Sequence, residues 1–259
     1  MRSIVDTFLM NTSATHTAFR SLLQGSGGGF QGHMDSLVLA RVEKDVCSAA
    51  LAIVLLKKWL IHSANATALE ELLEAVPEDL APLRLEGEDK IVRRALENGA
   101  FRKPPLQPFH ECVHFVREPR IIPHGPGGHH RLAGAPDIPR LEEYAAEYEA
   151  ELGLAPPNDW DRLIVENRIL LGVVEGTIAS VAIRGAETLD HVVIEGVYTF
   201  KAFRRRGLAK KLVAALSHQA AGRGQTAAAV IAKDNKPGHA LLEILQFHKT
   251  VDYLIVMFP

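Results

Sequence analysis

At 259 residues the chain is long enough for one large domain or two modest ones, each with its own core. A formal net charge of −2 gives no general pull toward nucleic acid or a membrane surface, so any basic cluster is a local feature. Only two cysteines, Cys47 and Cys112, occur, which excludes a disulfide framework and fits a reduced compartment. Met1–Met10 lacks a signal-peptide layout and the longest apolar run, near Ala49–Leu56, is too short to cross a bilayer, so a cytoplasmic protein is expected.

The first half reads as alternating helices and strands. A helix near Ala14–Leu23 leads into the loop Gly25–Gly29, where no lysine followed by serine or threonine completes a phosphate loop. Strands are predicted at Leu37–Val42, Cys47–Leu55 and Trp59–His62, then a helix at Thr67–Ala75. A short strand at Leu83–Leu85, a helix at Asp89–Asn98 and a strand at Phe109–Val116 complete this half. Cys47 and Cys112 fall on apolar strands and read as core residues. Prolines and glycines from Pro119 to Gly128 disfavour helix and strand interiors, which puts a boundary at about 118–128 and divides the chain into 1–120 and 121–259. His124, His129 and His130 lie there with no cysteine or carboxylate at a ligand spacing, so no metal site is expected.

The second half is more legible. His130–Ala133 reads as a strand, and Asp137 is placed to cap a helix carrying Leu141, Tyr144, Ala145, Tyr148 and Leu152 on one side and ending at Gly153. A second helix spans Trp160–Val165. Strands Arg168–Val174 and Thr177–Ile183 meet at Glu175-Gly176, a hairpin signal. The apolar run Val192–Phe200 reads as a strand, Arg204–Ala209 as a basic turn, and Leu208, Leu212, Ala215 and Leu216 as the face of a helix that stops at Gly222-Arg223-Gly224. A buried strand at Thr226–Ile231, a helix opened by Asn235 and a final pair of strands from Phe247 onward follow.

The turn is the most informative stretch. The first N–H groups of a helix lack internal partners and sit at the positive end of its dipole, while Gly207 removes the Cβ that would obstruct a close ligand. Strand, turn and helix together make an anion site able to hold a pyrophosphate on backbone alone. The pattern Arg/Gln-x-x-Gly-x-Gly/Ala, with Arg204, Gly207 and Ala209 in its defining places, resembles the coenzyme A loop of the GNAT superfamily of N-acetyltransferases. Val197-Tyr198-Thr199, this loop and Asn235 are similar to the branch that includes glycine N-acyltransferase-like enzymes. The resemblance covers about residues 129–259. It implies an α/β (α+β) fold, a mixed and mostly antiparallel sheet flanked by helices, preceded here by a smaller, degenerate GNAT-like half in which no second such loop stands after Trp59–His62.

The resemblance also implies chemistry. Acetyl-CoA is the expected co-substrate, with an amine of a small molecule or amino acid attacking its thioester directly in a ternary complex, so that positioning supplies much of the rate. The backbone of Val197, Tyr198 and Thr199 is expected to pair with the pantetheine arm, and the N–H groups of Arg205, Arg206, Gly207, Leu208, Ala209 and Lys210 with the pyrophosphate, the guanidinium groups adding charge; Asn235 is placed in the same site. Glu195 is the candidate general base, buried if its strand neighbours Val193 and Val197 face the core, and His191 is a second candidate. Where many of these enzymes carry Leu-Tyr-x-x-x-Gly-Phe, this chain has Leu241-Leu242-Glu243-Ile244-Leu245-Gln246-Phe247, so no tyrosine at 242 protonates the departing thiolate; Tyr198 or Tyr253 are candidates for that role. The expectation is an acetyl-CoA-dependent N-acyltransferase without metal, nucleic acid or membrane partner, monomeric or homodimeric. Its alternative is a non-catalytic acyl-CoA-binding protein.

Overall fold

The computed structural model describes residues 36–43, 46–54, 58–63, 66–74, 76, 82–98, 101, 103–119 and 130–259. The helix expected near Ala14–Leu23, the Gly25–Gly29 loop, and His124 and His129 lie outside these residues. The chain folds as two compact units that do not follow chain order. The first gathers described residues up to Phe115 with Val230–His239 and Lys249–Pro259; the second gathers Val116–Ala229 with Ala240–His248.

In the first unit the strands β1 (Ser36–Glu43), β2 (Val46–Val54), β3 (Lys58–Ser63), β4 (Arg84–Glu88), β11 (His248–Met257) and β5 (His110–Arg117) follow one another in the order β1-β2-β3-β4-β11-β5. Strands β1, β2 and β3 are joined antiparallel by short connections. The β3–β4 pair is parallel, so its connection must cross the sheet, and it does so through helix α1 (Ala66–Glu74). Helix α2 (Asp89–Glu97) follows β4 directly. Leu69 and Leu72 of α1, Val92 and Ala95 of α2, and Ile61, Leu85, Leu254 and Val256 of the strands make one buried cluster. Gly87 is required where β3 and β4 run close, since a Cβ there would fall 2.6 Å from the Ile61 carbonyl oxygen. One expectation is corrected here. The chain after Phe247 forms a single strand, β11, and not a pair, because His248–Met257 contains no glycine, proline or asparagine to turn it.

In the second unit the strand order is β10-β9-β8-β7-β6, from β6 (His130–Leu132), β7 (Ile169–Val174), β8 (Thr177–Glu187), β9 (His191–Thr199) and β10 (Thr226–Ala232). All neighbours are antiparallel except β9 and β10, which helix α5 (Leu208–Gly222) connects. The β7–β8 hairpin turns at Glu175 (φ 49°) and Gly176 (φ 77°), two left-handed residues that match the twist of the strands. Helices α3 (Ile138–Leu152) and α4 (Trp160–Val165) cover one face. Leu141, Tyr144, Trp160 and Leu163 pack there on Ile169, Leu171, Val181, Ile183 and Tyr198. The alternate residues serve the opposite face, where a Cβ on Gly172 would lie 3.7 Å from Leu212 of α5. Helix α3 ends at Gly153 in the left-handed conformation (φ 71°), and α6 (Lys236–Ile244) is capped by Asn235, whose Oδ1 accepts the Gly238 N–H at 3.0 Å.

Asp137 does not cap α3 through its side chain. Its carboxylate accepts the Gly134 N–H at 2.8 Å and a forked pair from Arg131 at 2.6 and 2.7 Å, fixing the turn before the helix. No helix among the described residues is long and apolar enough to cross a membrane.

Candidate functional site

The site is built on the end of β9. Its ladder with β10 stops at Val193↔Ala228, and Ile194–Thr199 run on beyond it. On the other side of β9, Val181 faces Tyr198 and Ile183 faces Glu195, so Gly196 and Val197 together oppose the single residue between. That is a β-bulge, and Gly196 adopts φ 60° within it. Tyr144 holds the bulge by donating from its hydroxyl to the Gly196 carbonyl at 2.7 Å. A side chain at 196 is excluded twice, by its left-handed backbone and by the 2.5 Å that would separate its Cβ from the Tyr144 oxygen.

The bulge has a chemical consequence. Residues three apart on a regular strand point to opposite faces. Here Glu195 and Tyr198 both face α3, opposite the core residues Ile183 and Val181. Glu195 is half-buried, and Ile194, Gly196 and Tyr198 are the buried positions, not Val193 and Val197. Its carboxylate lies against Gly185, where a methyl group would collide with it. Burial foremost, then Tyr148 and Glu195, drives the Tyr144 phenol well above its ordinary pKa, so Tyr144 stays a hydrogen-bond donor.

Beyond Thr199 a short 3-10 turn, Lys201–Phe203, leads to the Arg204–Lys210 turn. Arg204 Nε donates to the Thr199 carbonyl at 2.9 Å, and its Nη2 reaches Glu151 of α3 at 2.6 Å, while the guanidinium lies 5.2 Å above the Tyr198 ring. Glu151 holds the Arg204 pKa above its ordinary value, and Arg204 lowers that of Glu151. Arg204 is therefore committed to tying the end of β9 to α3, and the turn's backbone does the rest. Arg205 (φ 60°) and Gly207 (φ 73°) are both left-handed, a backbone of the kind from which anion-binding nests are built. Lys211 donates to the Gly207 carbonyl at 3.1 Å, and no side chain caps the helix. Open space surrounds the position a Cβ on Gly207 would take. The turn thus fits a pyrophosphate: free donors of the first helical turn, positive dipole end, and no obstruction.

The other sequence candidates fall elsewhere. His191 stands at the start of β9, ~26 Å along the strand from Thr199 and paired with Asp190 at 3.2 Å. The Tyr198 hydroxyl donates to Glu147 and Glu151 (3.1 and 3.2 Å), and burial, then the bond to Glu147, raises its pKa to about 12. The Tyr198 carbonyl accepts from Ser180 Oγ at 2.6 Å. Tyr253 is buried in the first unit opposite Glu88, and Asn235 also belongs to that unit. Leu242 is buried, and Gln246 adopts the left-handed backbone (φ 63°) for which glycine is the usual choice. Cys112 is buried with its thiol pushed up to about 12 by desolvation, as a core residue should be, and its Sγ contacts the His110 carbonyl. The described residues hold no group of histidine, cysteine and carboxylate side chains suited to a metal.

Tyr144, Glu147, Tyr148 and Glu151 are what sequence reasoning missed. The apolar spacing marked Tyr144 and Tyr148 as part of a helix face but left the glutamates elsewhere, and only the structure brings Tyr144 to the Gly196 carbonyl and Glu147 and Glu151 to the Tyr198 hydroxyl. Solved structures align with this chain over nearly its whole length. A Drosophila protein aligns with a TM-score of 0.77 at 16% identity, covering 99% of this chain and 95% of its own. A GNAT-family acetyltransferase from Colwellia psychrerythraea aligns with a TM-score of 0.60 at 9% identity, covering 99% and 95%. The fold is that of the GNAT N-acetyltransferases. A tandem GNAT protein from the clavulanic acid biosynthesis pathway also aligns, with a TM-score of 0.53 at 11% identity over 98% of this chain and 93% of its own. Residues 170–256, from β7 to β11, match the FR47-like protein family, and that stretch contains the bulge, the turn and α5. No curated protein matches the sequence.

Proposed function

We propose that this protein is an N-acyltransferase that moves an acetyl group from acetyl-CoA to an amine of a small molecule or amino acid, by direct attack in a ternary complex. One observation supports the reading: the β9–β10 ladder ends at Val193, and β9 runs into a turn where the position of a Cβ on Gly207 has nothing within 4 Å and no side chain caps the following helix. The bound thioester supplies an activated acyl carbon. The N–H groups from Arg205 to Lys210 hold the pyrophosphate, and the Val197–Thr199 edge aligns the arm that carries the thioester. Glu195, on the α3 face, takes the proton of the attacking amine, directly or through one water, as the N–C bond forms and the C–S bond breaks, and coenzyme A departs as its thiolate. The 1–120 half acts as a degenerate GNAT-like partner, and the glycine N-acyltransferase-like branch is the assignment favoured by Val197-Tyr198-Thr199 with Arg204.

Calorimetry with coenzyme A tests the reading. Micromolar binding by the natural protein and none by Gly207→Glu are expected; no binding by the natural protein overturns it. A second reading, an acyl-CoA-binding protein without turnover, is favoured by Leu242, which is buried and has no proton for a leaving thiolate. Release of free thiol from acetyl-CoA across a panel of amines separates the two.

A further inference from the structure

We infer that Glu151 is a positioning residue of the proposed acyl transfer, and that Arg204, held by it, is a strut between α3 and β9 and not a phosphate ligand. The inference rests on the acyltransferase reading. It starts from where the Arg204 donors go. Nε bonds the Thr199 carbonyl at 2.9 Å, Nη2 bonds Glu151 Oε2 at 2.6 Å, and the guanidinium faces the Tyr198 ring at 5.2 Å. The same Glu151 oxygen accepts the Tyr198 hydroxyl at 3.2 Å, and that hydroxyl also reaches Glu147 at 3.1 Å. One carboxylate on α3 thus gathers a residue of β9 and the first residue of the turn.

The position of this tie gives it a use. Arg204 lies 5 residues after Thr199, with the short Lys201–Phe203 turn between them, so the Nε–carbonyl bond closes a small ring. That ring fixes the distance from the edge of β9 to the turn. In the proposed complex one ligand spans both places, its arm along Val197–Thr199 and its pyrophosphate on the turn. A change in the distance therefore moves the thioester away from the amine while the pyrophosphate stays seated, and such misplacement is costly in rate. A guanidinium suits the task because its rigid fork can hold a carbonyl and a carboxylate at once. Glu151 supplies what keeps it there. An arginine without a carboxylate partner would be drawn to a bound pyrophosphate. The hydrogen bond from Arg204, foremost, lowers the Glu151 pKa, so the carboxylate is charged at neutral pH and holds the arginine on the strand.

Calorimetry on the full-length protein tests this with coenzyme A and with ADP, which carries the pyrophosphate and no arm and is titrated in competition with coenzyme A. In Glu151→Gln the Kd for coenzyme A should rise about three- to tenfold, and in Arg204→Met by a similar factor. The double variant should bind no more weakly than either single one, as expected of two residues that act as one tie. The Kd for ADP should stay within about twofold of the natural value in all three. Glu149→Gln removes the same charge from an exposed position of α3 and should bind coenzyme A as the natural protein does, which separates contact from long-range charge. Arg204→Met decides between strut and phosphate ligand by itself if Glu151→Gln fails to fold. Tighter coenzyme A binding in Glu151→Gln, or an ADP Kd that rises with that of coenzyme A in Arg204→Met, would make Arg204 a phosphate ligand and overturn the strut. An unchanged coenzyme A Kd in Glu151→Gln, or additive losses in the double variant, would overturn the positioning role and leave the acyltransferase reading intact. Absence of coenzyme A binding by the natural protein would overturn that reading itself.

Discussion

At the scale of single residues the candidate base and the acid-sensitive ion pair behave oppositely, and each can be measured. Glu195 stands on β9 before the bulge, half-buried and turned toward α3. If it removes the amine's proton, Glu195→Gln should lower kcat for acetyl transfer by about 10²–10⁴-fold. KM for acetyl-CoA and the thermal midpoint should stay near those of the natural protein, because the turn proposed to hold the pyrophosphate is untouched. Equal kcat in the two proteins would exclude Glu195 as the base. Asp137 makes a structural prediction. Hydrogen bonding from Arg131, foremost, and from the Gly134 N–H holds its carboxyl below the ordinary range, against desolvation. A carboxyl whose folded pKa is depressed contributes fully above its unfolded pKa and loses that contribution as pH falls through the folded value. Asp137→Asn should therefore cost about 1–2 kcal/mol at pH 7. That difference should close as pH falls through the lowered folded pKa of Asp137, when both are unfolded by urea at a series of pH values. A cost independent of pH would show that shape, not charge, holds the turn.

At the scale of elements, the sequence was informative wherever the signal was local. The hairpin at Glu175-Gly176, the glycine ending α3, the Asn235 cap and the strand-turn-helix around Gly207 all sit where short-range backbone rules place them. What escaped was the bulge. Alternation along Val192–Phe200 suggested that Val193 and Val197 would share a buried face with Glu195, but one extra residue between Glu195 and Tyr198 changes which side chains meet α3. A bulge leaves almost no mark in a hydrophobic pattern, and its one sign here is Gly196, an isolated glycine inside an apolar strand. Its energetic basis is nonetheless specific. Gly196→Ala introduces a left-handed alanine and a Cβ 2.5 Å from the Tyr144 oxygen, and should cost about 2–4 kcal/mol of stability. Tyr144→Phe leaves the Gly196 carbonyl without its donor and should cost about 1–2 kcal/mol. Urea midpoints of the two variants measure both. A neutral Gly196→Ala would mean that β9 can shed its bulge, and the shared orientation of Glu195 and Tyr198 would go with it.

At the scale of the molecule, the boundary expected at 118–128 and the division by compactness answer different questions. Punctuation by proline and glycine marks where the chain changes direction, whereas packing is decided by partners far away in sequence. Strand β11 illustrates this: Tyr253–Met257 pair with Arg84–Glu88, and Leu254 and Val256 are buried in the cluster with Leu69, Leu85 and Val92. No local pattern could have named that partner. It follows that a fragment starting at residue 121 carries Glu195, Val197–Thr199 and the Arg204–Lys210 turn yet leaves one side of its last strand without the β4 ladder and exposes Leu254, Val256 and Phe258. Such an apolar strand edge promotes association. The expected outcome is that residues 121–259 expressed alone aggregate or unfold without a cooperative transition by circular dichroism, whereas the full chain unfolds cooperatively. Adding the first 120 residues as a separate chain should restore a cooperative transition and, with it, coenzyme A binding. A fragment 121–259 that melts cooperatively and binds coenzyme A unaided would show that β11 does not need its first-unit partner. Residues 1–120 would then not be needed for coenzyme A binding.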